Sequence, residues 1–141
     1  MALKVTKTSV WSAEIADRPG GLATSLEALA GGGASLKVVI ARRMPDKKGR
    51  GIVFLGPIAG KRARKAAGKA GFKPGRPIPA LKIEGNDRSG LGARIARAIG
   101  SSGVNLRGIS AIAYGKKFIA YAAFDTGAAA GKAAKALKKV K

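Results

Sequence analysis

The chain has 141 residues with no cysteine and no histidine, and its 28 Lys and Arg against seven Asp and Glu give a formal charge of +21. The missing thiols and imidazoles exclude disulfides, thiolate nucleophiles, the commonest general base and the usual transition-metal ligand, so neither an enzyme nor a metal or other cofactor is expected. No stretch approaches the ~18 uncharged apolar residues of a membrane span, and Met1 to Lys7 lacks the apolar core of a secretory signal, so the sequence points to a cytoplasmic protein with no membrane partner.

Residues 9–15 alternate, with Trp11, Ala13 and Ile15 on one face and Val10, Ser12 and Glu14 on the other, as in a strand with one covered face. The turn-forming run Asp17-Arg18-Pro19-Gly20-Gly21 leads into Leu22, Leu26 and Leu29 at helical spacing, and glycines 31–33 end that helix. Strands are predicted over residues 35–42 and 51–56. A second helix follows, with Ala63, Ala66, Ala67 and Ala70 as its apolar stripe and Lys61, Arg62, Arg64, Lys65 and Lys69 outward. A strand over 72–78 is confined by Pro74 and Pro77 to a sheet edge.

The order then repeats. A strand over 80–85 carries Leu81 and Ile83, and Asp87-Arg88-Ser89-Gly90 precedes Leu91, Ile95 and Ile99. Strands over 105–114 and 117–124 are joined by the tight Tyr114-Gly115-Lys116-Lys117 link, and a final helix shows Lys132, Lys135, Lys138 and Lys139 outward. An offset of 70 lays Glu14 on Glu84, Asp17 on Asp87, Gly20 on Gly90, Gly33 on Gly103 and Leu36 on Leu106; beyond the second strands it falls to 67, so that Ile52 meets Ile119 and Gly60 meets Gly127. Only two long copies are present, which signals a duplicated domain rather than a solenoid.

The fold class is therefore α+β, with two tandem βαββα(β) units, residues 1–78 and 79–141, each an antiparallel sheet with helices on one face. The second copy ends without a last strand, and the open edge invites a strand from the first unit or from a second chain. Units of this size bury only about 60% of their unfolded surface, so docking of the copies and a homodimer are expected.

A unit that runs strand, Asp-Arg-Pro-Gly-Gly-Leu, helix and then Gly-Ala-Ser-Leu or Gly-Val-Asn-Leu into the next strand resembles an ACT domain, a ferredoxin-like module that senses amino acids. Both copies match, and with no catalytic domain attached the chain is most similar to free-standing tandem ACT regulators. The resemblance implies a ligand where the loop after the first strand meets the start of the second strand of a neighbouring unit. Its candidate residues are Asp17, Arg18, Pro19, Gly20, Gly21 and Leu22 with Ser35, and Asp87, Arg88, Ser89, Gly90 and Leu91 with Asn105.

The chemistry of these residues suits an amino acid: a glycine-rich helix N-terminus offers unpaired N–H groups to a carboxylate, and Asp17, Asp87, Ser35 or Asn105 offers an acceptor to an ammonium. Four of the seven acids recur at repeat-equivalent places, Glu14 with Glu84 and Asp17 with Asp87. The competing assignment has the aspartates capping turns and the glutamates pairing with lysines across the open sheet face.

The alternative function is basic RNA or nucleic-acid binding on the same scaffold. Lys48-Gly49-Arg50-Gly51-Ile52-Val53-Phe54-Leu55 has the outline of an RNA-recognition motif but carries Arg50, Ile52 and Leu55 where aromatics stack bases. Phe118, Tyr121 and Phe124 are assigned to core packing, and the charge to a solvated surface with non-specific nucleic-acid affinity. Gly56 to Lys61 and Gly127 to Lys132 are one residue short of a phosphate loop and are expected to start helices.

Overall fold

The computed structural model describes residues 2–72 and 77–140. Its elements are β1 (Lys4–Ala16), α1 (Gly21–Gly31), β2 (Val38–Arg43), β3 (Arg50–Gly56), α2 (Lys61–Lys69), β4 (Ile78–Asn86), α3 (Leu91–Ser101), β5 (Gly108–Tyr114), β6 (Lys117–Ala123) and α4 (Gly127–Leu137). This is βαββα twice over, in two compact units: Ser9–Pro77, and Ile78–Lys141 together with Met1–Thr8.

In the unit Ser9–Pro77 the strands are ordered β2-β3-β1 and pair antiparallel, with Ala13 opposite Val53 and Ala41 opposite Val53 on its other side. Period-two alternation sends Trp11, Ala13, Val53 and Leu55 to one face, where they are buried with Leu29 of α1 and Ala63 and Ala67 of α2. Full burial of a leucine such as Leu29, about 0% exposed, contributes roughly 1.5–3 kcal/mol. Alanines on the buried stripe of α2 let it lie close to α1: a Cβ added at Gly32 would stand 2.5 Å from that of Ala66.

In the other unit β4, β6 and β5 pair antiparallel, with Ile83 opposite Ala120 and Ala111 opposite Ala120. The core gathers Leu81 and Ile83, Leu91, Ile95 and Ile99 of α3, Phe118 and Phe124, and Ala130, Ala133 and Leu137 of α4. The leading residues of β1 belong to this unit, with Leu3 and Val5 packed against its core, so the strand that the second copy lacks is supplied by the chain's first residues. The open edge foreseen from the sequence is thereby covered.

Several expectations are corrected. The first strand is longer than residues 9–15: it begins at Lys4 and ends at Ala16. The second strands begin at Val38 and Gly108 rather than 35 and 105. Leu36 and Leu106 turn into their cores first, and the backbone joins the sheet through Lys37 N–H to Gly56 O and Arg107 N–H to Ala123 O, both 2.8 Å. Phe118 and Phe124 are core residues, but Tyr121 is half-buried on the opposite face, since an odd separation reverses the side of a strand. The strand foreseen over 72–78 crosses residues 73–76, outside the described residues; of its ends, Phe72 is buried and Ile78 opens β4. Among the described residues no helix is long and apolar enough to cross a membrane.

Candidate functional site

The two loops that carry the repeated motif share one backbone. In the first, the Gly21 N–H donates to Arg18 O at 3.0 Å and Gly20 adopts φ 83°, ψ −6°. In the second, the Leu91 N–H donates to Arg88 O at 3.2 Å and Gly90 adopts φ 82°, ψ 0°. These are type II turns, which favour proline at the second position and glycine at the third. Pro19 fixes the first turn and Ser89 tolerates the second, so the departure at Ser89 leaves the geometry intact.

Each turn delivers the chain into a helix whose cap is a glycine with no capping side chain. The aspartates are therefore not N-caps. Among the described residues the N–H groups of Leu22 and Ala23 in α1, and of Gly92 and Ala93 in α3, have no backbone acceptor, and they mark the positive ends of the helix dipoles.

The carboxylates differ more than the backbones. Asp17 accepts a hydrogen bond from Arg43 Nε at 2.6 Å, and its own N–H reaches Gly49 O at 3.0 Å. The Asp87 N–H likewise closes onto Lys116 O at 2.9 Å, but its exposed carboxylate has no partner among the described residues. The difference comes from the ends of the second strands. Arg43 closes β2 opposite Gly51, whereas the equivalent place in β5, opposite Phe118, is held by Ala113, which has no group to reach Asp87.

Both glutamates are paired with lysines, but from the β2–β3 link and from the same strand rather than from strand to strand across the sheet as the competing assignment had it. Glu14 accepts from Lys47 Nζ at 3.1 Å and lies 3.6 Å from Arg50 Nε, while Glu84 lies 3.5 Å from Lys82 Nζ. The Lys47 hydrogen bond and charge, with help from Arg50, hold the Glu14 carboxyl below its ordinary value.

Ser35 and Asn105 are exposed in the links after α1 and α3. Each helix has 11 residues and so spans about 16 Å, which separates Ser35 from Asp17–Leu22, and Asn105 from Asp87–Leu91, within any one unit. Neither unit alone brings the two parts of its expected site together.

A feature not foreseen lies beside the second loop. A cleft of about 350 Å³ is lined by Ala2, Lys4, Glu84, Gly85, Asn86, Lys117, Phe118 and Ile119, so that a carboxylate, an amide and two ammonium groups border it. Asn86 leads directly into Asp87. The recurrence of Glu84 was the one signal for it in the sequence; Lys4 gave none, because it stands at the far end of the chain. Among the described residues no cluster of His, Cys, Asp and Glu suits a metal ion.

No family model and no curated protein matches the sequence. Solved structures do match in fold. A protein from Bacteroides thetaiotaomicron superposes with a TM-score of 0.74 at 15% identity, over 93% of this chain and 88% of that one. The ligand-free regulatory subunit of aspartate kinase from Thermus thermophilus gives 0.64 at 20% identity, over 96% and 97%. The corresponding subunit from Thermus flavus gives 0.56 at 19%, over 96% and 97%. The fold is that of tandem ACT units.

Proposed function

We propose that this chain is a non-catalytic regulatory protein whose second unit binds an amino acid at the loop Asp87–Leu91. The observation that carries this reading is the contrast between the two aspartates: Asp17 is engaged by Arg43, whereas Asp87 has no partner among the described residues. A free carboxylate beside a turn whose helix offers the Gly92 and Ala93 N–H groups provides an acceptor for an ammonium and donors for a carboxylate. The likeness to regulatory subunits of aspartate kinase supports the regulatory role. Because α3 separates Asn105 from the loop, the link that completes the site comes from another unit, and a homodimer would supply it from a second copy of the chain.

A thermal-shift screen of the twenty amino acids in about 0.2 M salt tests the reading. One class of amino acid should raise Tm by on the order of 10 °C at a hundredfold excess over Kd, and Asp87→Asn should abolish that shift. Glu84→Gln separates the loop from the neighbouring cleft: loss of the shift in that variant alone would move the site to the cleft. If no amino acid raises Tm, the sensor reading fails.

A further inference from the structure

Helix α2 carries a charge pattern that works against its own stability. Five of its nine residues are basic, and it has no acid in its first turn. Lys61 and Lys65, and Lys65 and Lys69, are like charges four apart, and Lys61 and Arg64 are three apart; such pairs cost an isolated helix about 0.2–0.5 kcal/mol each. Lys61 also stands in the first turn, where the helix dipole disfavours a cation.

One of the five has a structural task. The Arg62 guanidinium donates to Gly31 O at 2.8 Å and satisfies a carbonyl at the end of α1. Lys61, Arg64, Lys65 and Lys69 are exposed and have no partner among the described residues, and Glu27, the acid on the neighbouring helix α1, makes no ion pair with any of them. A local rule broken four times on one short face, with no compensating contact, marks a surface kept for something else.

We infer that the exposed face of α2 is a docking surface for the phosphate backbone of a double-helical nucleic acid. Lys61 to Lys69 covers about 12 Å of helix axis, over which a duplex presents about seven phosphate charges, enough to engage all four side chains. The face offers no aromatic side chain on which single-stranded bases stack. It also has no large apolar side chain to enter a bilayer: the exposed large hydrophobics Val39, Ile109, Ile112 and Tyr114 all stand on β2 and β5. With all four cations engaged by phosphates, which carry no sequence information, binding is independent of sequence. The inference is separate from the amino-acid reading and stands or falls without it.

Fluorescence anisotropy with duplex DNA and duplex RNA of about 24 base pairs, titrated with salt, tests it on the full chain. The variant K61Q/R64Q/K65Q/K69Q should flatten the plot of log K against log salt by about 3–4 and weaken binding by on the order of a hundredfold at about 0.1 M salt. A control that removes as many charges elsewhere, K7Q/R42Q/K48Q/K116Q, should flatten it by less than about 1. Equal losses in both variants would reduce the effect to net charge and overturn the assignment, as would an unchanged slope in the α2 variant. Binding to phosphatidylserine vesicles that depends on α2, without duplex binding, would overturn it in favour of a lipid surface. Relief of like-charge repulsion should leave the α2 variant melting at or above the parent. If it melts lower, Lys65→Gln and Lys69→Gln carry the test singly, each expected to lower the slope by about 1 and to refute the assignment if they do not.

Discussion

The β1–α1 loop of the first unit and the β4–α3 loop of the second are built on the same turn, and they differ in what reaches their carboxylates. Gly20 and Gly90 have nearly the same dihedrals, and the Asp17 and Asp87 N–H groups both close onto the neighbouring hairpin. Yet Arg43, Lys47 and Arg50 converge on Asp17 and Glu14, while the short β5–β6 hairpin sends no side chain to Asp87. A duplicated fold has kept its backbone device and released one copy of its charge. The side chains of the Arg43–Asp17 pair are 80% and 32% exposed, so the pair adds at most about 1 kcal/mol of stability. Its larger effect is to occupy the carboxylate.

The comparison can be broken most severely through the strand that only the second unit borrows. Removing residues 2–7 strips Leu3 and Val5 from that unit's core and should cost about 2–4 kcal/mol, read as a lower urea midpoint by far-UV circular dichroism. Next in size are Gly20→Ala and Gly90→Ala, each of which forces a side chain into the left-handed region. Each should cost about 1–2 kcal/mol, and equal costs would confirm that the turns are equivalent. A smaller effect is expected from Arg43→Gln, which frees Asp17. It should change stability by less than about 1 kcal/mol while giving the first unit a measurable, weaker response to the amino acid proposed for the second.

The smallest effect is pH-dependent. The Glu14 carboxyl titrates below its ordinary 4.5, so its contribution is complete above that value and is lost as pH falls through its folded-state value. Glu14→Gln should remove that part of the acid limb in a melting series from about pH 3 to 6, with Trp11, buried in the same unit, as the fluorescent reporter.

Much of this architecture is legible in the sequence, because duplicated turns need the same residues twice. Glycine is demanded at 20 and 90 by the left-handed dihedral, and apolar spacing alone places Leu29 and Ile99 in equivalent buried sites. What escaped depends on contacts distant in sequence. Lys4 to Thr8 precedes the first copy but packs with the second, which no periodicity can reveal. The engagement of Asp17 depends on Arg43 at the end of β2, 26 residues away from the aspartate. The cleft beside Glu84 joins Lys4 to Lys117, and its lining emerges only when β1, β4 and β6 are assembled.

Of the two matching loops, only the second is proposed as the amino-acid site. An NMR titration of backbone amides, using the amino acid that raises Tm, tests it most directly. Large shifts are expected at Gly90, Gly92 and Ala93 that vanish in Asp87→Asn, with Gly20, Leu22 and Ala23 unmoved. Shifts confined to Gly20, Leu22 and Ala23, or shifts at Gly92 that survive Asp87→Asn, would contradict it.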